Sequence, residues 1–240
     1  MKALFLLLVF CGSCFAQTIE FVVSASPGGP NDTVTRKIAE ALERRTNLQF
    51  VIVNKPGAAH TIGYNYIKGT NKPSLIMETA EIAQHEVFPH VEELYLGGYF
   101  VNTVFVSEKS GVKTLKQLAE LSKQREIKFG HGGVGSYSHM AMASLCEKIL
   151  KCLDVPYKSG IEGMTAILTE TIDAYALASY GSKQFLENAR YVAVQDVRLP
   201  KEKSWFKLFG RNLSSADKEA ISNALKAEGP KFFTDMGLEK

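Results

Sequence analysis

The chain has 240 residues, 45% of them hydrophobic and 22% charged, which is enough apolar mass for one large domain or two small lobes. Its 28 basic and 25 acidic residues leave a formal charge of +3, and Lys and Arg are scattered without interleaved aromatics, so composition gives no argument for a nucleic-acid partner. Four cysteines are too few for a disulfide scaffold.

Lys2, the apolar run 3–10 and the small-residue segment ending Phe15-Ala16 have the three-part form of a secretory signal peptide. The expectation is a periplasmic protein with a signal peptide over residues 1–16 and Gln17 at its mature N-terminus. The run is too short to span a bilayer, and no later segment approaches the roughly 20 apolar residues a membrane helix needs. Cys11 and Cys14 leave with that segment. Cys146 and Cys152 remain, free to form one disulfide or to pack as two small apolar residues.

Residues 19–23 form an apolar, strand-like run that reaches an amphipathic helix through Ser26-Pro27-Gly28-Gly29-Pro30-Asn31-Asp32-Thr33. Pro30 suits a first helical turn, and Gly28 and Gly29 permit backbone conformations and close ligand approach that side chains would block. Bare N–H groups and the positive end of a helix dipole make such a junction a receptor for carboxylate or phosphate; the same residues also suit an ordinary tight turn. Asp32 would repel an anion and is expected instead to hold backbone amides. Val34, Ile38, Ala41 and Leu42 then recur at helical spacing. Residues 50–53 read as a second strand, 54–60 as a loop, and Thr61 as the cap of a helix carrying Ile62 and Tyr66. Residues 75–77 and 99–106 are further candidate strands.

Thr114 and Gln117 form a capping box ahead of Leu115, Leu118 and Leu121. Residues 127–129 lead into Gly130-His131-Gly132-Gly133-Val134-Gly135-Ser136 and a helix marked by Ala141, Leu145 and Ile149. A last strand–helix unit runs from residues 155–157 to Ile161, Met164 and Leu168. This alternation predicts an α/β fold of parallel sheets flanked by helices, with ligands beyond the carboxyl ends of the strands. Ser214 opens a final helix that Gly229-Pro230 is expected to end.

Gly130, Gly132 and Gly135 fit the G-x-G-x-x-G pattern, but no acidic residue ends the following strand; Asp154 precedes it. NAD is therefore set aside, and the glycines serve as a second set of bare amides. Ser136 and His139 stand three apart at a helix start, without an identifiable acid or a G-x-S-x-G elbow, so hydrolysis ranks behind binding. His60, His131 and His139 lack metal-ligand spacing and an accompanying carboxylate cluster. No metal and no cofactor is expected.

Two of these loops carry a resemblance. Ser26-Pro27-Gly28-Gly29-Pro30-Asn31-Asp32-Thr33, then Val53-Asn54-Lys55-Pro56-Gly57-Ala58 with Thr61-Ile62-Gly63, resemble the paired signatures of the tripartite tricarboxylate transporter solute-binding proteins, or Bug-type receptors. Lys113-Thr114-Leu115, the segment Gly130 to Ser136 with His139, and Val155-Pro156-Tyr157-Lys158 followed by Ile172-Asp173 resemble that family's second-lobe landmarks in order. The resemblance implies a two-lobed, type II periplasmic-binding-protein-like fold, with lobe 1 over residues 17–104 plus 199–240 and lobe 2 over 105–198. It implies that Ser26, Pro27, Gly28, Gly29, Ala58, Ala59, His60 and Thr61 hold one ligand carboxylate, and that Gly135, Ser136 and His139 meet its other end. The implied partners are a small organic carboxylate and either the permease subunits of such a transporter or a membrane sensor, served by a monomer. His60 departs from the pattern, standing where the family's loop usually ends in a second glycine.

Overall fold

Strand β1 (Thr18–Val23) is buried from Ile19 through Phe21, Val22 and Val23, the signature of a strand covered on both faces. The computed structural model describes residues 18–240, so the expected signal peptide and the Gln17 terminus lie outside the described residues. After β1 come α1 (Pro30–Glu43), β2 (Gln49–Asn54), α2 (Thr61–Gly69), β3 (Ser74–Thr79) and β4 (Glu92–Tyr99). The chain continues through β5 (Asn102–Ser107), α3 (Leu115–Gln124), β6 (Ile127–His131), α4 (Tyr137–Cys146), β7 (Cys152–Pro156), α5 (Gly160–Leu168), β8 (Ala174–Ala178) and α6 (Ser179–Leu186). It closes with β9 (Tyr191–Val197), β10 (Trp205–Arg211) and α7 (Ser215–Asp235).

The strands form two five-stranded sheets, ordered β2-β1-β3-β10-β4 and β7-β6-β8-β5-β9. In the first, β1 pairs in parallel with β2 and β3, while β10 runs antiparallel to β3 and β4. In the second, β6 pairs in parallel with β7 and β8, while β5 runs antiparallel to β8 and β9. The purely parallel sheets expected from the sequence are therefore corrected to mixed ones. The chain passes from the first sheet to the second between β4 and β5 and returns between β9 and β10.

Those crossings are packed rather than loose. Phe100 makes edge-on contacts with Tyr137 and Tyr180 at 5.4 and 5.5 Å, and Tyr180 stacks on Phe206 at 4.4 Å. Aromatic pairs of this geometry contribute about 1 kcal/mol each beyond their area. Tyr137 and Tyr180, from α4 and α6, thus complete a core whose other members come mainly from the first sheet, α1 and α7.

Three further expectations are corrected. Residues 99–106 are not one strand but the end of β4 and the start of β5, because the chain changes sheets between them. Thr61 is the first helical residue of α2, and His60 takes the cap position with φ +72°. Helix α7 runs through Gly229-Pro230 to Asp235, because packing outweighs the proline: Gly229 lies against the Tyr95 ring, and Phe233 stacks on that ring at 5.6 Å. Cys146 and Cys152 are joined in a disulfide with Cα atoms 5.7 Å apart, which ties the end of α4 to the start of β7. No helix among the described residues is long and apolar enough to cross a membrane.

Candidate functional site

The turn before α1 is held by Asp32. Its carboxylate accepts from the Gly28 amide at 2.9 Å, from Asn54 Nδ2 at 2.9 Å, and from Arg36 Nε and Nη2 at 2.8 and 3.1 Å. Burial favours the neutral acid, but these donors outweigh it and keep the Asp32 carboxyl below its ordinary value of 3.8. Asp32 therefore anchors the loop, as its position suggested. The expectation of free glycine amides is corrected: Gly28 donates to Asp32, and Gly29 donates to the Ser26 carbonyl at 3.2 Å. The donors without an intrahelical carbonyl at this end of α1 belong to Asn31 and Asp32, one turn further in.

The second loop is strained. Ala58, Ala59 and His60 all have positive φ, at 48, 46 and 72°, after Gly57 at 116°. A left-handed non-glycine residue costs about 1 kcal/mol or more, so three in succession persist only where the surroundings fix them. Thr61 donates to the Ala58 carbonyl at 3.0 Å, and the His60 ring is pinned through Nδ1, 2.8 Å from Ser24 Oγ and 3.3 Å from Glu78 Oε2.

In the second sheet, Ser136 caps α4, accepting from the His139 amide at 3.2 Å, and its hydroxyl lies 3.0 Å from Ser138 Oγ. No bond joins Ser136 to the His139 ring, whose Nδ1 instead accepts from the Gly135 amide at 3.4 Å. Serine and histidine are thus engaged as cap and loop anchor. The buried His131 ring lies 4.9 Å from His139, accepts from the Gly133 amide at 3.0 Å, and bonds Asp154 through Nε2. Burial holds the His139 imidazole below its ordinary 6.5; nearby His131 adds to this and Asp154 opposes it.

The two sets of loops meet across a cleft. An inner chamber is lined by Ala25, Gly29, Pro30, Asn31 and His60 on one side and by Gly132, Ser136, Ser138, Lys158, Gly160 and Tyr175 among others on the opposite side. It encloses about 20 Å³, room for about one water. An outer chamber of about 170 Å³ is lined by Ala59, Thr61, Tyr64 and His85 facing Val134, Gly135 and Ser136. The lobes touch where a Cβ on Gly133 would come within 2.8 Å of Ala59 Cβ, and where Tyr180 donates to Asn31 Oδ1 at 3.0 Å. Roomier cavities lie between α1 and α6, where Pro30 and Thr33 take part in the lining, and beside the Arg125–Asp173 ion pair.

Of the residues singled out from sequence, Gly29, His60 and Ser136 line the inner chamber and Ala59, Thr61, Gly135 and Ser136 the outer one. Ser26, Pro27, Gly28, Ala58 and His139 line neither and belong to the loops that shape them. Sequence reasoning missed Asn31, Ser138, Lys158 and Tyr175 as lining residues and Glu78 behind His60. Lys158 ends a motif quoted above, and Ser138 lies between Ser136 and His139, so adjacency was the available signal. Tyr175 and Glu78 had none, since each sits in an otherwise ordinary strand.

Four helices, α1, α2, α4 and α5, begin at the inner chamber: Gly29 and Pro30, His60, Ser136 and Tyr137, and Ser159 and Gly160 mark their first turns. Their dipoles bring positive ends toward one small volume, and Lys158 adds a cation. Among the described residues, no group of three His, Cys, Asp or Glu is arranged to hold a metal ion.

Two mixed five-stranded sheets linked by two crossings, with loops converging on the cleft, define the type II periplasmic-binding-protein fold. The likeness to solved structures has this form. The chain matches BugD, a periplasmic binding protein, with TM-score 0.77 and 20% identity over 93% of this chain and 88% of that one. It matches Rpa4515 of R. palustris with adipate at TM-score 0.81 and 19% identity over 93% and 88%. It matches MatC of Rhodopseudomonas palustris with bound malate at TM-score 0.74 and 19% identity over 92% and 89%. Curated relatives include a UPF0065 protein of Bordetella pertussis, 23% identical over 210 residues, and a UPF0065 protein in the tcbD-tcbE intergenic region of Pseudomonas sp. strain P51, 22% identical over 174. These matches take in 78% and 66% of this chain but only 64% and 51% of the relatives' own length. No family model matches the chain. The resemblance to Bug-type receptors drawn from the loop motifs is borne out by the likeness to BugD.

Proposed function

We propose that this chain is an extracytoplasmic receptor that closes its two lobes on a small organic carboxylate and delivers it to the membrane subunits of a tripartite tricarboxylate-type transporter. The observation that carries this reading is the convergence of four helix N-termini and Lys158 on one interlobe chamber. Fixed donors around a small volume favour an anion, and charge-assisted hydrogen bonds are about twice as strong as neutral ones. The adipate and malate held by two structurally similar proteins support carboxylate as the anion. The inner chamber admits little more than a water as it stands, so the ligand enters when the lobes part and is held when they close. The sequence-derived signal peptide supports a periplasmic location, and the engagement of Ser136 and His139 in loop structure supports binding over hydrolysis.

Mass spectrometry of the protein purified under native conditions tests this reading. A one-to-one complex with an organic acid, released on denaturation, is the expected result. Steady turnover of ester substrates with no retained acid would overturn it.

A further inference from the structure

Glu78, at the end of β3, is fully buried, and its polar partners are two hydroxyls and one imidazole, with no lysine or arginine. Ser24 donates to Oε1, Tyr64 donates to Oε2 at 3.2 Å, and His60 Nδ1 lies 3.3 Å from Oε2. The single Ser24 hydrogen is directed to Glu78, so the 2.8 Å contact between Ser24 Oγ and His60 Nδ1 takes its hydrogen from the ring. Nδ1 is then the protonated nitrogen of a ring that lines the inner chamber. A buried carboxylate is costly without a cationic partner, and among Glu78's partners the imidazole is the group able to become one.

Resting on the carboxylate-receptor reading, we propose that His60 is the cationic, specificity-determining contact for the ligand carboxylate, with Glu78 as its positioning residue. Binding is thereby coupled to a proton on the His60–Glu78 pair. In the empty cleft, Lys158 and the four helix ends oppose an imidazolium while Glu78 favours it. An arriving carboxylate tips the balance, so the pair takes up or keeps a proton as the ligand binds. The other titratable groups nearby fit this assignment. His85, whose ring is 5.0 Å from Tyr64, accepts from the Val87 amide through Nδ1. Asp32 is occupied by Arg36, and Lys158 lines the same chamber from the facing side. His131 and His139 lie on the facing loop side and are anchored by backbone amides.

Calorimetry of the purified protein with malate and adipate, between about pH 6.5 and 9 and in buffers of different ionisation enthalpy, tests the proposal. Affinity should fall with rising pH, by up to about tenfold per unit, with a buffer-dependent heat that reports proton uptake. His60→Asn should bind weakly without that pH dependence, and His60 in the wild type should titrate by NMR at higher pH than in Glu78→Gln. Should Glu78→Gln not fold, Ser24→Ala takes its place, loosening the same ring. Carboxylate binding with the same pH dependence and proton uptake in wild type and His60→Asn would overturn this inference while leaving the receptor reading intact. Absence of any carboxylate binding at every pH would overturn both.

Discussion

Asp32 shows how one buried acidic side chain organises the loop before α1. It gathers the Gly28 amide, Asn54 and Arg36, and its side chain is only 3% exposed, so removing it strands buried donors. Asp32→Ala should lower stability by about 2 kcal/mol in denaturant titrations and disorder the loop before α1. Its lowered pKa adds stability at neutral pH that fades only as pH falls below the ordinary 3.8. His139 works in the opposite pH range. Because its folded pKa is depressed, the unfolded chain binds the proton first, and stability should fall as pH drops below 6.5. Comparing urea midpoints at pH 7 and pH 5 checks this: the acid-induced loss should shrink in His139→Gln, which keeps an acceptor for the Gly135 amide but does not titrate. An equal loss in both proteins would refute the assignment.

At the scale of elements, the first two strand–helix units were legible because residues 19–23 and 50–53 are rich in β-branched and aromatic residues and the α1 loop carries Pro and Gly in helix-start positions. The elements the sequence concealed owe their form to long-range contacts. Strand β10 gains its partners β3 and β4 from segments more than a hundred residues earlier. The break between β4 and β5 reflects a change of sheet that no local signal announces, and a lobe boundary between residues 104 and 105 would cut through β5; one at 100–101 keeps each strand with its sheet. The continuity of α7 past Pro230 comes from Tyr95 and Phe233. In the site, the loops of lobe 1 were readable from glycine and proline, whereas Glu78 was not, since a single buried acid in a strand looks like any other strand residue. The disulfide spans a separation of six residues. Closing so short a loop constrains the unfolded chain modestly, so Cys146→Ala with Cys152→Ala should cost about 2 kcal/mol and leave ligand affinity unchanged, as denaturation and binding titrations will show.

For the whole molecule, the two sheets provide rigid platforms and the Phe100, Tyr137 and Tyr180 cluster sits where the chain crosses between them. Ligand that touches both lobes favours the closed arrangement by its differential contacts there, and binding to the native state alone raises the melting temperature by mass action. The central claim is that the four helix ends and Lys158 at the interlobe chamber select a carboxylate. Its most direct test is calorimetric titration with malate and adipate beside their diamides and a neutral sugar at one neutral pH. The acids should bind with a stoichiometry of one and at least about a hundredfold more tightly than the amides, corresponding to the loss of two charge-assisted hydrogen bonds. Diamides or sugar binding as tightly as the acids would contradict the account.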